Sequence, residues 1–460
     1  MEPLLTRDVM TAMGGDASAD APDRISGVST DTRTCAAGDL FFALSGDNFD
    51  AHDFLDRAAA ASASAAVVDR DVVNPPLPTI RVADVGRALL DLASFWRGRL
   101  KAKVVAITGS NGKTTTKDLA AAAIGSSRRV VSSPKSYNNF VGVPITLFLA
   151  DDSTEVVVLE VGTNSPGEIA TLAAVARPDV GVVTNVSEAH LEGLGSLEGV
   201  IAEKGALLEH VVDGGVSILC VDEPTFDAVR EHASGRVVST GVKRRADYVA
   251  TMPHCDFERI GFHVNGQERV RVPMIGCHNL YNALTALSIA AELGVPMAAA
   301  ASALKEVSGP PMRLTRHRRG EQLVIDDAYN ANPGSMKAAI KTFASLTAPG
   351  RKILVLGDML ELGDQSERLH QEVGAALSCG EFDLVCVVGA QAPSILEGAA
   401  RHGLEEKKTL RYENAARCAA ELPALLRDDD AVLLKASRAI GLEKVVDAVL
   451  NVPQRERGAS

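Results

Sequence analysis

Residues 109–116 read Gly-Ser-Asn-Gly-Lys-Thr-Thr-Thr and follow directly on the apolar run Val104–Ile107. Glycine lets backbone amides approach phosphate oxygens without a Cβ in the way. In such a loop Lys113 would meet the β- and γ-phosphates, and the Thr114 hydroxyl would bind Mg²⁺. A helix starting here would add its positive end. The spacing G-x-x-x-x-G-K-[ST] asks for a further glycine at position 107, where this chain has Ile107. The competing reading is a strand–turn–helix with a solvated lysine. A Gly-Lys-Thr triplet between a strand and a helix favours the nucleotide.

Other segments carry candidate chemistry. Glu160 ends the apolar run "EVVVLE", and a carboxylate at the C-terminal edge of a parallel strand faces the crevice where ligands bind. It is either a Mg²⁺ ligand opposite the loop or a solvated strand end. His190, in "TNVSEAHLEGLGS", is either a metal or phosphate contact or a solvated loop histidine. Lys204 lies on a helical stretch, and nothing in its neighbours singles it out. "RLTRHRRG" holds Arg313, which could stabilise a transferring phosphate, or forms a solvated, flexible face. Asp326 and Asp327 end another strand before "AYNANPGS". That is again a crevice edge, where one of the two carboxylates could simply brace the turn.

These residues need a frame. A chain of 460 residues suggests about three domains at roughly 100–200 residues each. Residues 1–98 hold short strand-like pieces and end in a helical stretch with Leu89, Leu90, Leu92 and Leu100 near helical spacing. Residues 99–312 alternate continuous apolar strands with helices, as a parallel sheet buried on both faces does. Within them, 236–275 is more polar and reads as short antiparallel strands. "HNLYNALTALSIAAELG" reads as a helix closed by Gly294 and Pro296. "SGPPMR" interrupts any helix, and from 313 to 460 a second β-α-β-α series begins. The fold expected is α/β in three domains: an N-terminal α/β domain, a central P-loop-type domain with a mostly parallel sheet, and a C-terminal Rossmann-like doubly wound domain.

Hydrophobic residues make up 46% of the chain and charged ones 23%, which is globular composition. The net charge of −12 argues against a nucleic-acid partner but leaves room for an anion held by amides and one lysine. The seven cysteines are scattered, with no C-x-x-C, so no disulfides are expected and the compartment reads as reducing. No secretory signal and no run of about 18 apolar residues is visible. The reading is a cytoplasmic monomer acting on small molecules, with no membrane span.

"TGSNGKTTT", "SYNNFVGVPITL", "LEVGTNSPGEI", "NVSEAHLEGLGS", "GCHNLYNALTA", "PMRL" and "DDAYNANPGSM" occur in this order. Together they resemble the Mur ligases, ATP-dependent amide-forming enzymes of peptidoglycan precursor synthesis. The resemblance runs from "STDTRTCAAGDLFFAL" to "KASRAIGLEKVV". "YNNFVGVP" and "DAYNANPGSM" are most similar to the branch that joins D-alanyl-D-alanine to UDP-N-acetylmuramoyl-tripeptide. The loop form TGxNGKT is the family's own, which accounts for Ile107.

The resemblance implies that ATP phosphorylates the tripeptide carboxylate and that the dipeptide amine attacks the acyl phosphate. It implies ATP contacts at Gly109, Ser110, Asn111, Gly112, Lys113, Thr114 and Thr115, with Asn282 at the adenine and Arg313 and Asp327 nearby. Thr114, Glu160 and His190 would hold Mg²⁺, with Lys113, Glu160 and His190 central to catalysis. Lys204 stands where relatives place a carbamylated lysine beside a second Mg²⁺. The UDP substrate would be held by Thr32, Arg33, Asp50, His52, Asn138 and Asn139. D-Ala-D-Ala would be gripped by Asn330, Asn332, Lys435, Ser437 and Arg438. Relatives usually carry glycine where this chain has Ala51, so either the turn differs or His52 is displaced. A rival from another class is a nucleotide-binding sensor module that forms no amide, and product analysis separates the two.

Overall fold

The computed structural model describes residues 1–46 and 49–451. The last nine residues of the expected third unit therefore lie outside the described residues. Three sheets carry the chain. The first has five strands in the order Asp16–Ala17, Thr79–Arg81, Ala65–Val68, Asp39–Phe42 and Gly27–Ser29, parallel except at the Asp16 edge.

The central sheet has nine strands. Lys103–Thr108 lies between Val156–Glu160 and Val180–Val183, parallel to both. Two strands that both follow it in sequence thus sit on opposite sides of it, which opens a crevice at its C-terminal end. The polar stretch from 236 is only partly antiparallel. Arg236–Gly241 runs parallel to Val216–Cys220, and the reversal comes later, at Tyr248–Cys255, Ile260–Val264 and Glu268–Val272. The expected helix forms over His278–Glu292, with Gly294 left-handed at φ 77° just beyond it.

The third sheet runs Thr315–Arg319, Gln322–Asp326, Ala431–Lys435, Lys352–Gly357, Leu384–Val388 and Thr409–Tyr412. Its first strand corrects one sequence alternative. The arginine-rich segment is an ordered antiparallel edge, pinned by Arg316 on the Phe257 carbonyl and by Arg319 on the Val449 carbonyl. A solvent-facing, cationic edge of this kind discourages pairing with another chain.

One helix serves two units. Val85–Arg99 starts on the Asp84 cap and buries Leu89, Leu92 and Trp96 in a core that also contains Val143, Val157 and Leu172 of the central part. Trp96 Nε1 donates to the Leu147 carbonyl at 3.0 Å, and Arg97 donates to the Ala176 and Arg177 carbonyls. The chain leaves this helix at Arg99 and enters the central sheet at Lys103, and the packing is continuous there.

The expectation of unpaired cysteines fails at one pair. Cys255 and Cys277 are joined as a disulfide, with Cα atoms 5.7 Å apart. They come from a strand end and a helix start 22 residues apart, a separation that carries no motif.

Candidate active site

A cavity of about 920 Å³ opens at the C-terminal ends of the central and third sheets. That is ample for a nucleotide and part of a second ligand. Register sets its floor: Ile107 pairs with Glu160, and Thr108 pairs with Val183. The loops after all three strands therefore emerge side by side.

The glycine-rich loop is closed by its neighbours. Gly109 has φ 144°, and a Cβ there would lie 1.9 Å from Thr184 Oγ1. Gly112 has φ 81°, and a Cβ there would lie 2.4 Å from Asn282 Oδ1. Both positions need glycine for backbone and for space. Asn185, missed in the sequence, accepts from the Asn111 amide through Oδ1 at 2.9 Å, and its carbonyl accepts from the Ser110 amide at 2.9 Å. Ile107 is a wholly buried strand residue, so no glycine is required where the longer spacing would put one.

Lys113 starts the helix Lys113–Gly125 and folds back so that Nζ donates to the Gly109 carbonyl at 2.7 Å. Enclosure pushes its ammonium below the usual lysine range, opposed by the charge of Glu160 and reinforced by Arg313. An anion beside Nζ would favour the charged form. Thr114 Oγ1 is 3.3 Å from Ser136 Oγ and accepts from Arg313 Nη2 at 3.0 Å. Arg313 also stacks over the Tyr329 ring at 4.2 Å, which fixes a long side chain above the loop. Asn282 accepts from Thr116 Oγ1 at 3.3 Å and donates to Asn279 Oδ1 at 2.8 Å.

Glu160 is 1% exposed. Its Oε1 accepts from Asn138 Nδ2 at 2.8 Å, while Oε2 is buried and finds no hydrogen-bond partner among the described residues. A carboxylate oxygen left so is costly unless a cation meets it. Among the described residues no group of three or more acidic, His or Cys side chains forms a metal cage. Mg²⁺ commonly takes one or two carboxylates together with ligand phosphates, and the Thr114–Glu160 floor fits that pattern. His190 lines the same cavity, with Nδ1 2.6 Å from Glu361 Oε2, a carboxyl held below its ordinary range by that hydrogen bond.

Lys204, 1% exposed on the helix Leu197–Glu209, is not among the residues lining the cavity. Enclosure and the charge of Lys113 push its amine well below the usual lysine range, against Glu203. Glu203, unremarked in the sequence, caps the Gly162–Glu168 loop. Its carboxylate accepts from Thr163 Oγ1 at 3.1 Å, Gly167 N at 2.6 Å and Ile169 N at 2.8 Å.

The third sheet supplies the opposite wall. Asn330, Asn332, Lys435, Ser437 and Arg438 all line the cavity, but most are already engaged. Lys435 Nζ pairs with Asp327 Oδ2 at 2.8 Å and donates to the Asn330 carbonyl at 3.0 Å. Asn332 caps the helix Pro333–Ala344 and donates to Asn111 Oδ1 at 2.8 Å, across the cleft. Ser437 Oγ accepts from the Leu360 amide at 2.9 Å. The tandem carboxylates divide their tasks: Asp326 accepts from the Ala328 amide and braces the turn, while Asp327 faces the cavity.

Six residues were expected to hold the UDP substrate, and the structure splits them. Asn138 and Asn139 line the cavity, although Asn139 Oδ1 already accepts from the Val141 and Gly142 amides. Thr32, Arg33, Asp50 and His52 belong to the first unit and are not among the residues lining this cavity. Arg33 is exposed and pairs with Asp31 at 2.6 Å. His52 is buried, with Nδ1 2.7 Å from Asp50 and Nε2 3.3 Å from Asp69. Ala51 sits in a 3₁₀ turn capped by Asp50, without a positive φ, so this turn needs no glycine.

The same chain segments match known proteins. The Mur ligase family catalytic domain matches residues 24–96, the Mur ligase middle domain residues 107–290, and the Mur ligase glutamate ligase domain residues 312–438. The UDP-N-acetylmuramoyl-tripeptide–D-alanyl-D-alanine ligase of Bacillus subtilis (strain 168) is 37% identical over 433 residues, covering 93% of this chain and 94% of that protein. This chain belongs to the Mur ligase family. Crystal structures agree with that. MurF from Acinetobacter baumannii superposes with a TM-score of 0.90 at 30% identity, covering 98% of this Mur ligase and 100% of that chain. MurF ligase from Thermotoga maritima, in complex with ADP, superposes at 0.80 and 28% identity, covering 92% and 97%. This Mur ligase is an ATP-dependent ligase of three-part α/β architecture.

Proposed function

We propose that this chain joins D-alanyl-D-alanine to UDP-N-acetylmuramoyl-tripeptide with hydrolysis of ATP to ADP and phosphate, in peptidoglycan precursor synthesis. One observation carries this reading beyond family membership. A single cavity is walled by the Lys113 loop on one side and by Asp327, Asn330 and Lys435 on the other. ATP and an acceptor amine can meet there.

In this reading the units are 1–98 for the UDP substrate, 99–312 for ATP and 313–460 for the dipeptide. Gly109 to Thr115 wrap the phosphates, Asn282 meets the adenine, and Arg313 and Asp327 reach the nucleotide from the boundary. The γ-phosphoryl group passes from ATP to the tripeptide carboxylate, giving an acyl phosphate and ADP. The D-Ala-D-Ala amine then attacks the acyl carbon, the amide forms as the nitrogen gives up a proton, and phosphate leaves with the C–O electron pair and takes up a proton. Lys113 and Arg313 offset the negative charge that builds in both steps. Positioning accounts for the rest: in-line placement supplies several kcal/mol, about 7–11 at best, without any covalent work by the protein.

Thr114, Glu160 and His190 would hold Mg²⁺, which when bound neutralises charge on the phosphates. The depressed Lys204 amine favours its unprotonated form, the form that adds CO₂ to give a carbamate and a proton. A carbamate would place a negative charge opposite Lys113. In this reading Thr32, Arg33, Asp50 and His52, which do not line the cavity, would hold the UDP moiety. Among the described residues no helix is long and apolar enough to cross a membrane. We assign the protein as a cytoplasmic monomer on its small-molecule substrates.

The test is phosphate release. It is expected only when ATP, the UDP-tripeptide and D-Ala-D-Ala are all present, with single amino acids failing to compete for the dipeptide site. Equal ATP hydrolysis without either acceptor would contradict the proposal, and UDP-tripeptides with different third residues would define the donor.

A further inference from the structure

Two non-glycine residues hold left-handed backbone on loops that face each other across the cleft: His190 at φ 56° and Glu361 at φ 63°. Such a conformation is unfavourable for a residue with a side chain and persists only where the surroundings impose it. Here the two residues meet. His190 Nδ1 lies 2.6 Å from Glu361 Oε2, and the Glu192 amide donates to the Glu361 carbonyl at 3.1 Å.

The Glu361 loop is fixed from within the third unit. Asp358 accepts from the Ala390 and Gln391 amides at 2.8 and 3.0 Å. The Met359 amide donates to His370 Nε2, and the Leu360 amide to Ser437 Oγ, both at 2.9 Å. Glu361 is thus presented on a rigid arm that belongs to the third sheet. Its partner histidine follows the strand Val180–Val183 of the central sheet.

A carboxylate only accepts hydrogen bonds, so the proton of the contact sits on Nδ1. In the neutral ring this leaves the lone pair on Nε2, the form in which an imidazole binds a divalent cation. Histidines that ligate metals are commonly held this way by a carboxylate on the far nitrogen. The unusual feature here is that the carboxylate comes from another unit of the chain.

We propose that Glu361 is a positioning residue for His190, fixing from the third domain the ring tautomer that offers Nε2 to Mg²⁺, so that the metal contact is complete only while the two domains are closed. The inference rests on the reading of His190 as a Mg²⁺ contact, and the test separates the two.

The probe is Mn²⁺ with ADP, titrated into the full chain by electron paramagnetic resonance, with ¹⁵N-histidine NMR to read the ring tautomer. Glu361→Ala is expected to weaken Mn²⁺ binding by roughly 10–100-fold and to mix the two His190 tautomers. Glu361→Gln keeps a carbonyl acceptor for Nδ1–H and is expected to retain the tautomer and most of the affinity. Melting temperatures within a few degrees of the parent exclude a folding defect. If Glu361→Ala binds Mn²⁺ normally while His190→Ala does not, the positioning role is wrong and the metal reading stands. If Glu361→Gln loses as much affinity as the alanine variant, charge rather than orientation matters, and the proposal also falls. If His190→Ala itself binds Mn²⁺ normally, the metal reading fails and takes this inference with it.

Discussion

The central unit meets its two neighbours in different ways. Toward the first unit the joint is a helix sunk in a shared core, with Trp96 3% exposed and the buried Arg97 paired to Asp179 at 3.1 Å. Toward the third unit the joint adds a row of polar side-chain contacts at the cleft. Asn332 meets Asn111, Arg313 meets Thr114, Glu361 meets His190, and Arg368 meets Glu188 at 3.0 Å. Apolar residues of both units, such as Val186, Leu191, Met359 and Leu362, also share one cluster there, beneath these polar contacts. Net, each polar contact is worth about 1 kcal/mol, and the exposed Arg368–Glu188 pair less. Burying a tryptophan is worth several times more. The first joint therefore holds the fold together, while the second can exchange its contacts for ligand.

Glu160→Ala is expected to lower Mg²⁺-dependent turnover on the order of 10³-fold, about 4 kcal/mol in the barrier, with stability nearly unchanged. Its Oε2 has no partner to lose among the described residues. A large fall in melting temperature with normal kinetic constants would place Glu160 in the framework instead.

The first joint comes next. Trp96→Ala should cost about 3–5 kcal/mol of stability by removing a core side chain and its bond to Leu147. Chemical denaturation reads this directly, and a loss below about 1 kcal/mol would mean the two units are not packed as one.

The smallest effect is expected at the second joint. Asn332→Ala should cost about 1 kcal/mol, the value of a helix cap, and little more for the bond to Asn111. Denaturation midpoints measure it. A cost comparable to Trp96→Ala would remove the distinction between the joints.

The parts legible in the sequence were those set by local chemistry. Continuous apolar runs marked the parallel strands, and Gly-Lys-Thr after one of them marked the loop, with Ile107 now seen as plain strand. Glu160 and Asp327 were found because a strand end is visible in one dimension. The contacts that join units were not visible, because they pair positions far apart. Glu361 pairs with His190 across 171 residues, and Trp96 bonds Leu147 across 51. Asn332 and Ser437 looked like free ligand groups, yet their short side chains complete a helix cap and a loop brace. The arginines of Thr315–Arg319 looked flexible because charge hides an edge strand whose pairing depends on its neighbour.

The most direct test of the account is the mass of the product formed from ATP, Mg²⁺, D-Ala-D-Ala and UDP-N-acetylmuramoyl-tripeptide. The account predicts the UDP-pentapeptide, formed in step with ADP and phosphate and absent when any one component is left out. ATP turnover with the tripeptide and dipeptide recovered unjoined would contradict it.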